Sequence, residues 1–88
     1  MFGATLRQAR QSSGKSLRRF ASELSFSPSM ISRVESGQRN LDEASIVRAA
    51  LLLGTPAVLL LIPALRDAGW PESASALENA INRGLLDD

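Results

Sequence analysis

The chain has 88 residues, 44% of them hydrophobic, with ten basic and nine acidic residues and a formal net charge of +1. This length and composition predict one globular domain. A chain of this size buries only about 60–65% of its unfolded surface, so it can fold alone but has little stability to spare. It contains no cysteine, histidine or tyrosine, which excludes disulfides, argues against a zinc site, and removes the commonest general base and the thiol nucleophile. We therefore expect no cofactor, no metal and no enzymatic activity.

The charge is unevenly distributed along the chain. Residues 1–40 hold seven basic and two acidic residues, a net +5, whereas residues 41–88 hold three basic and seven acidic residues, a net −4. This asymmetry suggests that one end faces phosphate groups, although a solvated surface with uneven charge would look the same. The uncharged stretch at residues 49–65 is broken by Gly54-Thr55-Pro56 and by Pro63, so we expect two core helices there and no membrane span.

The first two predicted helices are short. Helix 1 is expected over Thr5–Ser12 and is followed by Gly14, a residue suited to the left-handed position after a helix. Helix 2 is expected over Leu17–Leu24, with Ser16 as its N-cap. Its apolar residues recur with the spacing i, i+3, i+4 and i+7 that marks one buried helical face.

A serine-rich turn, Ser25-Phe26-Ser27, separates helix 2 from helix 3. Ser27 is suited to cap helix 3, and Pro28 to its first position, where no amide hydrogen is needed. Gly37 is expected to end the helix. At about 100° per residue the apolar side chains share one face. The opposite face carries Ser29, Ser32, Arg33 and Ser36.

The second half of the chain is also predicted to be helical. Helix 4 is expected over Glu43–Leu53, with Asp42 as its N-cap. Helix 5 is expected over Ala57–Ile62, with Thr55 as its N-cap and Pro63 ending or kinking it.

A further helix is predicted to start at Trp70-Pro71 and to run up to Gly84. We find no strand pattern and no repeat, so the sequence predicts an all-α fold. A domain at residues 1–63 would be followed at residues 64–88 by a short C-terminal helical extension, packed on helix 5 or in a dimer interface.

A set of landmark residues occurs in a fixed order along the first half of the chain: Leu6, Arg10, Gly14, Phe20-Ala21, Leu24, Ser27, the run ISRVESG from Ile31 to Gly37, and Arg39-Asn40. In these landmarks the chain resembles the lambda-repressor-like, Cro and Xre-type family of helix-turn-helix proteins. Many positions match in order and spacing, and the likeness continues through helices 4 and 5, over about residues 4–62. The resemblance implies a compact five-helix domain in which helix 3 lies in the major groove of DNA.

Two positions depart from the family pattern. Leu17 stands where the family usually has a Gln whose side chain meets a phosphate, and Ser25 stands where the turn usually has Gly. A non-glycine residue in a left-handed turn costs about 1 kcal/mol, so we expect Ser25 to strain the turn slightly.

The resemblance implies two classes of DNA contact. Base edges would be read from the outer face of helix 3, by Arg33 above all, since arginine matches the O6 and N7 atoms of guanine, and more weakly by Ser29, Ser32 and Pro28. Phosphate contacts would flank the groove, at Ser16, Leu17, Lys15, Arg18, Gln38, Arg39 and Asn40. For each flanking residue alone a solvated side chain is an equally good interpretation, and Pro28 fits plain helix structure better than an apolar contact with thymine.

The family also pairs the positions of Arg10 and Glu35 in a partly buried ion pair that ties helix 1 to helix 3. Its members dimerise through the C-terminal end, and the consecutive apolar residues of helix 5 cannot all face one small core. The residues expected in a dimer interface are Leu59, Leu60, Leu61, Ile62, Trp70 and Leu77.

These implications favour a sequence-specific regulator of transcription, a repressor that binds a palindromic operator in double-stranded DNA as a homodimer. We expect it in the cytoplasm, associated with the nucleoid, and of bacterial or phage origin. One alternative is an antitoxin that autoregulates its operon, with C-terminal helices that bind a toxin. The same helices could instead bind an anti-repressor as a protein partner. Another is a protein-interaction module that has lost DNA binding, which only Leu17 supports.

Overall fold

The computed structural model describes residues 1–84, which form six α-helices and no strand. In chain order the helices are α1 (Phe2–Ser12), α2 (Leu17–Glu23), α3 (Pro28–Glu35), α4 (Glu43–Leu53), α5 (Ala57–Asp67) and α6 (Pro71–Asn82). The prediction of an all-α chain is confirmed for these residues, although α6, with 12 residues, is the longest helix and no minor appendage to the other five. Within residues 1–84 no helix has both the length and the apolar character needed to cross a membrane.

Three helices begin where the sequence places an N-cap. Each capping side chain accepts a hydrogen bond from the backbone N–H three residues later, which satisfies one of the free donors of the first turn. The bonds are Arg19 N–H to Ser16 Oγ at 3.1 Å, Met30 N–H to Ser27 Oγ at 3.1 Å, and Ser45 N–H to Asp42 Oδ2 at 3.2 Å. These three predictions are confirmed, because a cap depends on residues that are close in sequence.

The first helix begins earlier than predicted, at Phe2 instead of Thr5. Phe2 is buried in the core, and Gly3 lies directly against the backbone of α3. A Cβ atom on Gly3 would clash with the carbonyl oxygens of Val34 and Glu35. The early start therefore reflects a close approach of two helices, which the local sequence pattern does not contain.

The fifth helix differs from the prediction at both ends. Its N-cap is Pro56 and not Thr55, and no side-chain hydrogen bond caps it. The helix also continues through Pro63 to Asp67, so Pro63 does not end it. An interior proline removes one backbone hydrogen bond and disfavours the helix. Here Ala64, which follows the proline, packs against the core, and that packing sustains another turn.

One hydrophobic core joins the first five helices. Ile31 and Val34, on the inner face of α3, are fully buried in it. Its other members are Phe2, Leu6, Phe20, Ala21, Leu24, Leu41, Ile46, Ala49, Ala50 and Leu60. Because one face of α3 is held by this core, its opposite face must point into solvent.

The last helix packs along α5. Ala74 is completely buried at this contact, and an ion pair joins Arg66 of α5 to Glu78 of α6. The end of α5 is tied back to α1 by the Asp67 carboxylate, which accepts a hydrogen bond from the Phe2 N–H at 2.8 Å. Residues 68–84 are thus attached to the rest of the protein through α5.

Candidate nucleic-acid interface

The turn between α2 and α3 sets the angle at which α3 is presented. Ser25 has a φ of +63°, the left-handed conformation expected at the position where the family pattern has glycine. The Phe26 N–H donates to the carbonyl oxygen of Ala21 at 2.9 Å, and the Phe26 side chain packs against the core. Arg48 of α4 donates from Nη2 to the carbonyl oxygen of Leu24 at 2.7 Å. The turn is therefore held by backbone, core and α4 together.

The outer face of α3 is a polar, exposed surface. Pro28, Ser29, Ser32 and Arg33, the four residues predicted to read bases, are all exposed on it. Within residues 1–84 the Arg33 guanidinium makes no ion pair, so its donors are available to a ligand. A polar face with a free arginine, mounted on a rigid helix, is suited to the edges of base pairs.

The residues predicted to contact phosphate lie on the segments that flank α3 in sequence. Ser16 and Arg18 are exposed at the start of α2, and Gln38, Arg39 and Asn40 are exposed after α3. Their positions provide hydrogen-bond donors at both ends of the α2–turn–α3 unit. Such donors orient a protein on DNA without reading sequence.

Lys15 is already engaged within the protein. Its Nζ lies 2.7 Å from Glu23 Oε1, while Arg19 Nε lies 3.8 Å from Glu23 Oε2. The hydrogen bond from Lys15 lowers the pKa of Glu23 below its usual value, and the charge of Arg19 adds to this. Lys15 therefore offers less free positive charge to a phosphate than its sequence position suggests.

Arg10 and Glu35 form a two-point ion pair under this surface. Arg10 Nε lies 2.7 Å from Glu35 Oε2, and Arg10 Nη2 lies 3.0 Å from Glu35 Oε1. The third donor of the guanidinium, Nη1, binds the carbonyl oxygen of Lys15 at 2.8 Å. The two side chains are only 10% and 6% exposed. The pair fixes α3 to α1 and to the segment that leads into α2.

The predicted dimer residues occupy different environments. Leu60 and Ile62 are 1% and 7% exposed, so both belong to the interior of this chain. Leu61 and Leu77 are partly buried. Leu59 and Trp70, in contrast, are 49% and 61% exposed. Leu51 near the end of α4, which the sequence analysis did not select, is 77% exposed. A partner could thus touch only part of the predicted set.

The sequence analysis did not select two further arginines that lie at this surface or support it. Arg7, one helical turn before Arg10, is exposed and lines a hollow with Ser32 and Ser36. Its spacing from Arg10 was the signal that could have revealed it, because residues i and i+3 share a helix face. Arg48 offered no such signal, since its partner Leu24 is 24 residues away.

Comparison with known proteins places this geometry in context. The family model described as a helix-turn-helix domain matches residues 1–61. Among solved structures, the crystal structure of the clp gene regulator ClgR from Corynebacterium glutamicum is similar, with a TM-score of 0.66 and 28% identity. The similarity covers 94% of this chain and 85% of that one. No curated protein matches the sequence. The resemblance to helix-turn-helix proteins is confirmed, and the structural likeness extends beyond residue 61.

Proposed function

Because the chain belongs to the helix-turn-helix family, we propose that it is a transcriptional regulator that binds double-stranded DNA sequence-specifically, with α3 in the major groove. The observation that carries this proposal is the outer face of α3, where Arg33 is exposed, and without an ion pair within residues 1–84, opposite the buried Ile31 and Val34. The similarity to a protein described as a gene regulator supports it. The proposal assigns the chain no catalytic role.

We assign base reading to the residues along α3. Arg33 would donate two hydrogen bonds to the O6 and N7 atoms of a guanine, which is the most specific contact available to this face. Ser29 and Ser32 can bond to several bases and would add weaker preference. Their backbone is fixed by the core beneath them, so this order along the groove would be kept on binding.

Phosphate contacts would position the protein on both sides of the groove. Ser16, Lys15 and Arg18 would meet one strand near the start of α2, where Leu17 has only its backbone amide to contribute. Gln38, Arg39 and Asn40 would meet the backbone beyond the end of α3. The net +5 charge of residues 1–40 would draw this half of the molecule towards DNA.

We further propose a homodimer that represses transcription from a palindromic operator, with residues 1–63 as the DNA-binding domain and α6 as an extension on α5. Leu51 and Leu59 are large apolar side chains exposed at the end of α4 and in the first half of α5, which favours a subunit contact there. Twofold symmetry would place the two α3 helices in successive major grooves, about 34 Å apart. The protein, of bacterial or phage origin, would act in the cytoplasm at the nucleoid.

Trp70 favours a second candidate function. It is 61% exposed at the start of α6, and exposed tryptophans are enriched in protein interfaces. An antitoxin that regulates its own operon would use such a side chain to bind a toxin. A toxin gene beside this one, whose product co-purifies with the wild type and not with Trp70→Ala, would favour this candidate.

Selection from a randomised pool of double-stranded DNA, at two salt concentrations, tests the main proposal. We expect an enriched palindrome with half-sites one helical turn apart. Retention that is sensitive to salt but enriches no sequence would reduce the interaction to backbone attraction and contradict sequence-specific regulation. No retention at either salt concentration would favour an interaction module without DNA binding.

A further inference from the structure

A shallow surface hollow of about 370 Å³ lies between the start of α2 and the outer face of α3. It is lined by Leu17, Pro28, Ser29, Ser32 and Arg33. Leu17 and Pro28 give the hollow an apolar wall, and the other three residues give it a polar rim. The hollow therefore combines hydrogen-bonding groups with a small apolar surface on the face proposed to meet DNA.

Leu17 is what makes the hollow apolar. It stands at the first position of α2, packs partly against the core, and is only half-buried. Part of its remaining surface lines the hollow, while the four lining residues of α3 are exposed. The exposed apolar surface of Leu17, next to the charged guanidinium of Arg33, is removed from water only if an apolar group of a ligand covers it, and this burial would favour binding.

We propose that this hollow binds the C5 methyl group of a pyrimidine, either thymine or 5-methylcytosine, in the major groove. The inference rests on the proposed DNA binding and adds to it the identity of one base feature. Base pairs display donors and acceptors in the major groove, and the C5 methyl group of thymine is the apolar element among them. Leu17 thereby contacts a base, although the family pattern places a phosphate contact at its position.

The position of Arg33 locates this methyl group relative to a guanine. Pro28 and Arg33 are five residues apart, which spans about 8 Å along a helix axis. At ~3.4 Å per base pair, that distance corresponds to about two base-pair steps. The operator half-site is therefore expected to contain a C5-methylated pyrimidine within about two base pairs of the guanine that Arg33 reads.

Replacing thymine by deoxyuridine in the selected operator tests the proposal, because this change removes only the methyl group. Each thymine is replaced in turn, and the affinity of the full chain is measured. We expect one thymine in each half-site at which deoxyuridine lowers affinity about fourfold, which corresponds to the ~0.8 kcal/mol of one buried methyl-sized group. That thymine should lie within about two base pairs of the guanine whose identity ceases to matter in Arg33→Ala.

Variants of the hollow then assign the effect to its residues. Leu17→Gln removes the apolar wall but keeps a side chain of similar length, and should abolish the difference between thymine and deoxyuridine. Pro28→Ala, at an exposed position, should reduce the difference between thymine and deoxyuridine. It replaces Leu17→Gln as the test variant if a denaturation curve shows that Leu17→Gln is unfolded. Arg39→Ala is the matched control, since loss of a phosphate contact should weaken both DNAs by the same factor.

A final arm distinguishes the two sources of the methyl group. At the sensitive position the thymine pair is replaced by a cytosine pair, either unmodified or methylated at C5. If 5-methylcytosine restores binding relative to cytosine, the hollow accepts the methyl group from either base; if it does not, the site is specific for thymine. An operator with no sensitive thymine, or an undiminished effect in both Leu17→Gln and Pro28→Ala, overturns the inference. Failure to select any operator overturns the proposed function, and this inference with it.

Discussion

Two arginines of this protein differ in burial and therefore in the contacts that they can make. The Arg10 side chain is 10% exposed and donates hydrogen bonds to Glu35 and to the carbonyl oxygen of Lys15. Arg33 is exposed and makes no ion pair within residues 1–84. The same side chain therefore stabilises the fold at the first position and is free for the proposed recognition of DNA at the second. The two roles make distinct predictions for the same substitution to alanine.

Arg33→Ala should weaken operator binding by about 1–3 kcal/mol and relax the base preference at one position of each half-site. The physical reason is the loss of a bidentate contact with guanine, while the exposed position keeps the fold intact. Affinity is measured on the operator, on operators with each base substituted, and on unrelated DNA. Arg39→Ala, with the same loss of charge, should weaken all of these DNAs alike. Equal losses in Arg33→Ala would refute base reading.

Arg10→Ala should lower the free energy of unfolding by about 3–5 kcal/mol, because Glu35 would remain buried without its partner. Denaturant titration measures the loss. Replacing both residues by apolar ones, Arg10→Met with Glu35→Leu, should recover much of it, since no buried charge is left unpaired. If the double variant were no more stable than Arg10→Ala, the unpaired carboxylate would not be the cause.

At the level of elements, the turn between α2 and α3 holds a residue in an unfavourable conformation. Ser25 has a φ of +63°, where a Cβ atom is strained and glycine is not. Ser25→Gly should therefore raise the free energy of unfolding by up to about 1 kcal/mol. Thermal unfolding measures the gain, and Ser22→Gly, inside α2, is the control that should destabilise. A loss of stability in Ser25→Gly would contradict the strained turn.

The cap of α4 makes stability depend on pH. Asp42 accepts hydrogen bonds from the Ser45 hydroxyl at 2.5 Å and from the Ser45 N–H at 3.2 Å. The bond from the hydroxyl, and then that from the N–H, lower the pKa of Asp42 below its usual value of 3.8. A lowered pKa in the folded state means that the carboxylate stabilises the fold above its unfolded pKa. This stabilisation is lost as the pH falls through the folded pKa.

Asp42→Asn isolates this effect, because asparagine still caps the helix but does not titrate. The difference in unfolding free energy between the wild type and Asp42→Asn should be constant above about pH 5. It should shrink steadily as the pH is lowered from there. The contributions of all other acidic groups cancel in the difference. A difference that does not change with pH would show that the charge of Asp42 is irrelevant to the cap.

Elements fixed by neighbouring residues could be predicted from the sequence, and elements fixed by distant ones could not. The helix starts at Ser16, Ser27 and Asp42 could be predicted, because each capping side chain accepts a hydrogen bond from the residue three positions later in the chain. The start of α1 depends on the fit of Gly3 against the backbone of α3, about 30 residues away. The helix through Pro63 likewise depends on packing that no local pattern encodes.

The candidate site divides in the same way. The polar face of α3 follows from helical periodicity, so Ser29, Ser32 and Arg33 could be chosen in advance. The pairing of Arg10 with Glu35 was inferred from the family, because 25 residues separate the partners. In the run of apolar residues in α5, sequence alone could not tell that Leu60 is buried and Leu59 exposed, because consecutive residues encircle a helix.

At the scale of the whole molecule, size and charge together favour two copies on one DNA. Each copy has one α3 and measures 37 × 28 × 19 Å over the described residues. Successive major grooves on one face of DNA lie about 34 Å apart. Two copies side by side match that spacing. Residues 1–40 carry +5 and residues 41–88 carry −4, so the pair would approach DNA with its basic halves.

Leu59→Lys tests this arrangement, because a charge in an apolar subunit contact would be left without a partner. We expect the wild type to sediment as a dimer and Leu59→Lys as a monomer. Binding to the full palindrome should weaken strongly, and binding to an isolated half-site should not change. Ala76→Lys places the same charge at an exposed position of α6 and should remain dimeric. A Leu59→Lys protein that stays dimeric would exclude Leu59 from the interface, and a monomeric wild type on the palindrome would exclude the dimer itself.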